Sequence, residues 1–356
     1  MEWGKRKLRL LKRRKDKMSP WYMENGSKLL EGLIASSNGE YDVPYRVFTI
    51  EELYKATYLD ITAGMSDFSR GVMTDGMGYY ISGTFQQRSI LVKKFWVSGE
   101  EDRGRSYAVN DIVIALQMNR HKNVLKVLGC CLDLKMPAII YEHGINYRLL
   151  FDILFKRKEW NFQNDGRSLS WSNRLKIAAD VANAIAYLHT AFPTPIIHRD
   201  LTTKNIVIDN YGVAKLVDFS LCISLPPGES EIKDMIVGTK QYLEPEYART
   251  GIVTEKCDVY MFGMILIELL TGREPYDIAH EPNSLEEYIK EHVDKELSEI
   301  LDPTILVERG EKELDHQLQA FLELALRCTC NKGVDRPDVM DMAKELQRIQ
   351  RSSRPC

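Results

Sequence analysis

The spacing of apolar and polar positions changes period along this chain, and each change marks a different kind of structure. The stretch "MSPWYMENGSKLLEGLIASSNG" puts Leu29, Leu30, Leu33 and Ile34 on one helical stripe, with Ser19 as N-cap, Pro20 at the first helical position and Asn38-Gly39 as the stop. "VFTIEELYKAT" is a better-marked helix start: Thr49 and Glu52 have capping-box spacing, and Phe48 and Leu53 hold the staple positions. Between Asp67 and Tyr141 the period falls to that of strands, in "GYYISGTF", "SILVKKFW", "LKVLGCCL" and "PAIIYE", interrupted by one helical stretch, "YAVNDIVIALQMN". From Leu149 on, helical spacing dominates. "WSNRLKIAADVANAIAYLHT" carries Leu175, Ala178, Ala182, Ile185 and Leu188 on one face, "EKCDVYMFGMILIELLTG" is apolar nearly all round and closes at Gly272, and "HQLQAFLELALRC" follows. The pattern predicts an α+β chain: a helical leader over 19–46, a small strand-rich lobe over 47–140 and a large helical lobe over 141–350.

Charge adds a further segment. Residues 1–17 hold nine Lys or Arg against Glu2 and Asp16, a balance of +7 that leaves −10 on the remainder of a chain whose net charge is −3. Such a basic arm, 1–18, is a solvated disordered tail or a contact for an anionic membrane leaflet, RNA or an acidic partner; each basic residue near a leaflet contributes roughly 1 kcal/mol. No apolar run reaches the roughly 18–20 residues of a spanning helix, and "MFGMILIELL" reads as a core helix. The N-terminus is too charged for a secretory signal, and Gly4 is not at the second position that myristoylation requires. Seven scattered cysteines fit a reducing compartment, and Cys328 and Cys330 are not at metal-ligand spacing. The expectation is a soluble cytoplasmic protein, with peripheral contact at the inner face of the plasma membrane through the arm.

The strongest chemical signal is "IIHRDLTTKNIVID". Asp200 and Asn205 sit five residues apart on one loop, as phosphoryl transfer needs: a carboxylate to take the proton of an attacking hydroxyl and an amide to hold a divalent metal. "DFS" follows the strand-like "AKLV", and Asp218 would hold a second metal. Upstream, "ILVKKF" places Lys93 on an alternating strand, aimed at phosphates, while Lys94 points to the opposite face and to water. Asp111 is the candidate partner for Lys93, or else a plain solvated helix residue; being short, it would either lengthen the pair or draw its helix inward. Glu246 and Arg336 are expected to form a buried ion pair, and Asp258 to brace the catalytic loop through backbone hydrogen bonds.

"FTIEELYKAT", "VKKF", "NVLKVLGCC", "IIYEH", "HRD…KN", "DFS", "GTKQYLEPEY", "TEKCDVYMFG" and "DRPDV" occur in order, so the chain resembles a plant receptor-like kinase domain of the wall-associated type. The leader, "QMNRHKN" and "LCISLPPGES" make it similar to the ZED-related kinases, receptor-like cytoplasmic kinases without ectodomains. The resemblance implies a bilobal protein-kinase fold with a nucleotide site that includes Gly78, Lys93, Tyr141, Glu142 and Asp218. It also implies an adaptor role: most members are pseudokinases that dock on a coiled-coil NLR immune receptor of the ZAR type and report bacterial effector action on kinases. No nucleic-acid partner is expected.

Against the family's pattern, the glycine loop is degraded. In "MTDGMGYYISG", aligning Gly78 with the third glycine puts Met73 and Asp75 where the first two belong and Tyr80 where a valine would close over adenine, unless Gly76 and Gly78 form a shifted loop. Thr202 stands in place of the catalytic-loop lysine, with Lys204 as the one possible substitute, and Ser220 replaces the glycine after Asp218-Phe219. Lys93, Asp200, Asn205 and Asp218 nevertheless survive, which keeps open a weakly or fully active Ser/Thr kinase using ATP and magnesium. Arg199 before Asp200 usually signals control by activation-loop phosphorylation, but the acidic, proline-bearing segment Ser220–Val237 reads as a contact surface. Trp21, Leu29, Leu33, Ser224, Glu229 and Ser230 are the candidate partner contacts.

Overall fold

A computed structural model of the chain describes residues 19–36, 45–57, 73–74, 77–96, 101–143, 147–155, 169–274, 297–308 and 312–352. The basic arm, the Asn38-Gly39 stop, Asp75 and Gly76 lie outside these, and only the backbone of Met73 is described. The chain divides into two compact units, Met1–Gln117 with Lys126–His143, and Met118–Leu125 with Gly144–Cys356.

The first unit contains α1 (Pro20–Ser36), β1 (Arg46–Val47), α2 (Ile50–Thr57), β2 (Met73–Thr74), β3 (Gly78–Phe85), β4 (Arg88–Phe95), α3 (Glu101–Gln117), β5 (Val127–Cys131) and β6 (Ala138–Glu142). Its sheet runs β1-β5-β6-β4-β3-β2, with β1 parallel to β5 and the other pairs antiparallel. Side chains alternate across it, so the two faces separate cleanly. One face packs Ile81, Ile90, Val92 and Ile140 against Phe48, Leu53 and Ala56, which brings α2 down onto the sheet. The capping box forms as spaced: the Thr49 N–H donates to Glu52 at 3.0 Å and the Glu52 N–H to the Thr49 hydroxyl at 3.2 Å.

The leader helix is part of this unit. Leu29 and Leu33 are buried, and a Cβ on Gly32 would come within 2.9 Å of Val113, so α1 and α3 approach closely at that glycine. Asn25 donates from Nδ2 to the carbonyls of Leu132 and Leu134 at 2.9 and 2.8 Å, and Arg105 pairs with Glu24 while lying over the Trp21 ring. Two buried carbonyls would lose their donor without Asn25.

The second unit contains β7 (Arg148–Leu149), α4 (Leu150–Phe155), α5 (Trp171–Thr190), β8 (Ile196–Ile197), β9 (Ile206–Ile208), β10 (Ala214–Leu216), β11 (Ile223–Ser224), β12 (Glu231–Lys233), α6 (Pro245–Thr250), β13 (Ile252–Thr254), α7 (Glu255–Thr271), α8 (Pro303–Glu308), α9 (Lys312–Cys328) and α10 (Val339–Arg351). Helix α7, apolar all round, is buried almost throughout and forms the centre against which α5 and α9 pack. It ends at Gly272, whose positive φ of 63° makes the left-handed cap. Arg174 of α5, fully buried, donates to the Leu269 carbonyl at 2.6 Å and to Asp302 at 2.5 Å, tying α5 to the end of α7. Among the described residues no helix is long and apolar enough to cross a membrane. The described cysteines are free thiols, and burial pushes those of Cys130, Cys131, Cys257 and Cys328 up to about 12, which makes them inert.

Candidate functional site

The residues singled out by sequence fall into two groups, one in each unit. In the first, β3 pairs with β4 so that Tyr80 lies directly opposite Lys93. Cross-strand partners share a face, so the tyrosine ring and the lysine stem are neighbours by register alone. The Lys93 ammonium meets Asp111 of α3 at 2.9 Å, 4.8 Å from the Phe95 ring centroid and 5.7 Å from that of Tyr80. Lys93, Asp111 and Tyr80 are all 0% exposed. Asp111 is therefore the lysine's partner, at full contact distance, and the short side chain is accommodated without lengthening the pair. Lys94 takes the other face, its ammonium over the Tyr79 ring.

Two residues expected at the nucleotide also make structural contacts in this unit. Tyr141 is buried, its ring tilted by 42° against that of Tyr80 at a centroid distance of 6.4 Å, so its side chain helps fill the sheet face. Gly78 is not in an open loop: it is the first residue of β3, and a Cβ there would lie 2.2 Å from the Lys94 carbonyl. The glycine is needed for strands to meet. Glu142, at the end of β6, keeps its side chain exposed.

The second unit holds the acid and amide groups. Asp200 accepts from the Thr239 N–H and hydroxyl at 2.8 and 2.7 Å on one oxygen, and from the Asn205 amide at 3.1 Å on the other. Burial raises its pKa, with Asp218 adding repulsion while the Thr239 bonds oppose the rise. A carboxylate so placed is a better proton acceptor than a solvated one. Asn205 is fully buried and also donates to the Asp200 carbonyl at 2.8 Å; its Oδ1 has no hydrogen-bond partner. An orphaned buried amide oxygen suits a cation. Asp218, at φ 63°, accepts from the Ser220 hydroxyl at 2.6 Å and its N–H at 3.3 Å. Among the described residues no group of three or more His, Cys, Asp or Glu could hold a metal, so a magnesium ion would rest on Asn205 and Asp218. Asn205, with its open oxygen, suits such an ion, whereas in the first unit Tyr80 lies beside a fully buried Lys93, which crowds the lysine that would meet a nucleotide phosphate.

Neither residue considered for the missing lysine's role supplies a cation beside Asp200. Thr202 is buried, and Lys204 places its ammonium 4.7 Å from the Phe151 ring centroid. Below the loop, Asp258 accepts from the N–H groups of His198 and Arg199 at 2.8 and 3.0 Å and from His189 at 2.8 Å. Burial alone would raise the Asp258 pKa, but His189 and these donors hold it below the ordinary value. The bracing extends to Thr203 and Tyr242, which donate to Glu268 of α7 at 3.3 and 2.7 Å. Burial pushes that carboxyl up to about 8. Sequence reading missed this anchor because α7 reads simply as apolar.

The expected Glu246–Arg336 ion pair is not formed. Arg336 instead donates to Glu244 at 2.6 Å, both side chains being buried, and Glu246 takes the Gly333 N–H at 2.9 Å. The reason is local: Glu244 is the N-cap of α6, and its carboxylate is already turned inward by the N–H groups of Glu246 at 2.9 Å and Tyr247 at 2.5 Å.

A family model described as protein tyrosine and serine/threonine kinase matches residues 66–346. The chain is 36% identical over 355 residues to the serine/threonine-protein kinase ZRK1 of Arabidopsis thaliana, covering 96% of this chain and 95% of that one. It is also 36% identical over 343 residues to the non-functional pseudokinase ZED1 of the same plant, covering 94% and 97%. Wall-associated receptor kinase 5 of Arabidopsis thaliana is 33% identical over 333 residues, covering 93% of this chain and 43% of that one. A kinase and a non-functional pseudokinase thus stand at equal identity, and only the site's own residues can separate the two behaviours.

The pairing at Arg336 is testable by chemical denaturation. Glu244→Ala, which leaves a buried guanidinium uncompensated, is expected to cost about 3–5 kcal/mol. Glu246→Ala removes one backbone hydrogen bond and should cost about 1 kcal/mol. The opposite ranking would contradict the observed pairing.

Proposed function

The chain belongs to the protein kinase family and to its ZED-related branch, and we propose that its work there is that of an adaptor pseudokinase rather than a phosphotransferase. The observation that carries this reading is the full burial of Lys93 among Asp111, Phe95 and Tyr80. A lysine with no exposed surface serves its sheet. The loss of the loop lysine at Thr202 removes a second electrostatic stabiliser, and such losses cost about 10²- to 10³-fold in rate. On this reading the protein binds a coiled-coil NLR receptor of the ZAR type and helps it sense effector action on a receptor-like cytoplasmic kinase in plant immunity. The basic arm supplies peripheral contact with the plasma membrane.

The leader helix supports such docking, with a different set of residues from those expected. Leu29 and Leu33 are buried in their own unit and so do not face a partner, while Trp21 is half-buried under Arg105. Met23, Leu30 and Ile34 are 65%, 58% and 53% exposed on the outer side of α1. Ser224, Glu229 and Ser230 are exposed and stay available for a kinase partner.

An alternative reading is a weakly active Ser/Thr kinase, and it has one observation in its favour: Asn205 keeps a buried oxygen open for a cation beside Asp200. Magnesium there would neutralise charge on a bound triphosphate, while Asp200 took the hydroxyl proton.

A γ-phosphate transfer assay separates the two. The adaptor reading predicts that wild type and Asp200→Ala give the same background signal; robust transfer abolished by the substitution would end it. Capture of a ZAR-type NLR tests the surface: Leu30→Asp with Ile34→Asp should reduce binding about tenfold or more at an unchanged melting temperature. Undiminished capture would remove α1 from the interface.

A further inference from the structure

Arg199 is the residue that would receive an activating phosphate, and its surroundings are already complete. Its backbone lies in the left-handed region at φ 66°, held there by the N–H bond to Asp258 at 3.0 Å. Its Nε donates to the Leu221 carbonyl at 2.5 Å, and its Nη1 meets Asp234 at 2.5 Å, with only 7% of the side chain exposed. The guanidinium is engaged on both edges.

Asp234 is itself pinned. Its N–H donates to the Gly251 carbonyl at 2.9 Å, at the end of the β12–β13 pairing. The fully buried Tyr247 donates its hydroxyl to the Met235 carbonyl at 2.6 Å and accepts the Val237 N–H at 2.9 Å. Two residues later Thr239 clasps the Asp200 carboxylate. An unbroken run of bonds therefore leads from Asp234 to the loop that carries Asp200.

We propose that Asp234 is the permanent anion of the Arg199 pocket, so that the segment from Glu231 to Thr239 holds its form without any phosphorylation. The hydroxyls nearest in sequence suit the phosphate role poorly. Ser230 is exposed and flanked by Glu229 and Glu231, so a phosphoryl group there would meet like charge and find the arginine taken. Ser224 has its backbone fixed opposite Ile196 in the β11–β8 pairing, and a phosphoryl group on its exposed hydroxyl would meet an arginine already engaged by Asp234. The proposal concerns the shape of the segment and holds whether or not the protein transfers phosphate.

Amide hydrogen exchange on the full chain tests it, before and after treatment with a broad-specificity phosphatase. The peptide covering 231–239 should be protected in both wild-type samples. Asp234→Asn, which keeps the size and loses the charge, should exchange about 10- to 100-fold faster there, with helix α7 unchanged. Asp234→Glu should restore part of the protection, as a plain steric role would not. Unaltered exchange in Asp234→Asn, or release of the wild-type segment by phosphatase alone, would overturn the proposal. Should Asp234→Asn also expose α7, the wild-type phosphatase comparison decides: retained protection upholds the proposal and lost protection refutes it.

Discussion

One buried ion pair, Lys93 with Asp111, sets the character of the first unit. Two opposite charges without solvent contact are tolerated only when each satisfies the other, so β4 and α3 are bound to one another through their least replaceable side chains. The register of β3 on β4 then delivers Tyr80 to the same face, next to the ammonium. A smaller residue would leave that face open; tyrosine fills it and lies against Tyr141. The pair joins β4 to α3 and leaves neither charge exposed to solvent.

The second unit is preserved to a different degree. Asp258 still gathers the backbone of the catalytic loop, Glu268 still fastens it to α7, and Asp200, Asn205 and Asp218 remain. Thr202 stands where the family's loop lysine is expected, and the Ser220 hydroxyl donates to the Asp218 carboxylate. Such a loop is a scaffold of high local order. In the leader helix, Asn25, Arg105, Leu29 and Leu33 fix α1 to its own unit while Met23, Leu30 and Ile34 face outward.

Much of this was legible in the residues wherever a short-range rule applies. The Thr49–Glu52 capping box, the staple of Phe48 and Leu53, the left-handed cap at Gly272 and the alternation that puts Lys93 and Lys94 on opposite faces all follow from neighbours within a turn or a strand. The failures are of a different kind. "LEPEY" offers two glutamates, and nothing in its spacing says that the N-cap position will turn Glu244, and not Glu246, towards a residue ninety-two positions away. The close approach that excludes a side chain at Gly78 comes from the Lys94 carbonyl on the next strand, which no local spacing reveals. The hairpin joining β3 to β4 turns on Gln86 and Gln87, both at positive φ without the glycine or asparagine that would have announced it. Asp234 gave no motif at all; only the fold brings it to Arg199.

The central claim is that Tyr80 and the closed Lys93–Asp111 pair exclude a triphosphate from this face of the sheet. Isothermal calorimetry with ATP and magnesium, on wild type and on Tyr80→Val, tests it most directly. The account predicts no measurable heat of binding to wild type and a gain of affinity of at least about tenfold on removing the ring. Micromolar binding to wild type, undiminished by the presence of the tyrosine, would contradict it.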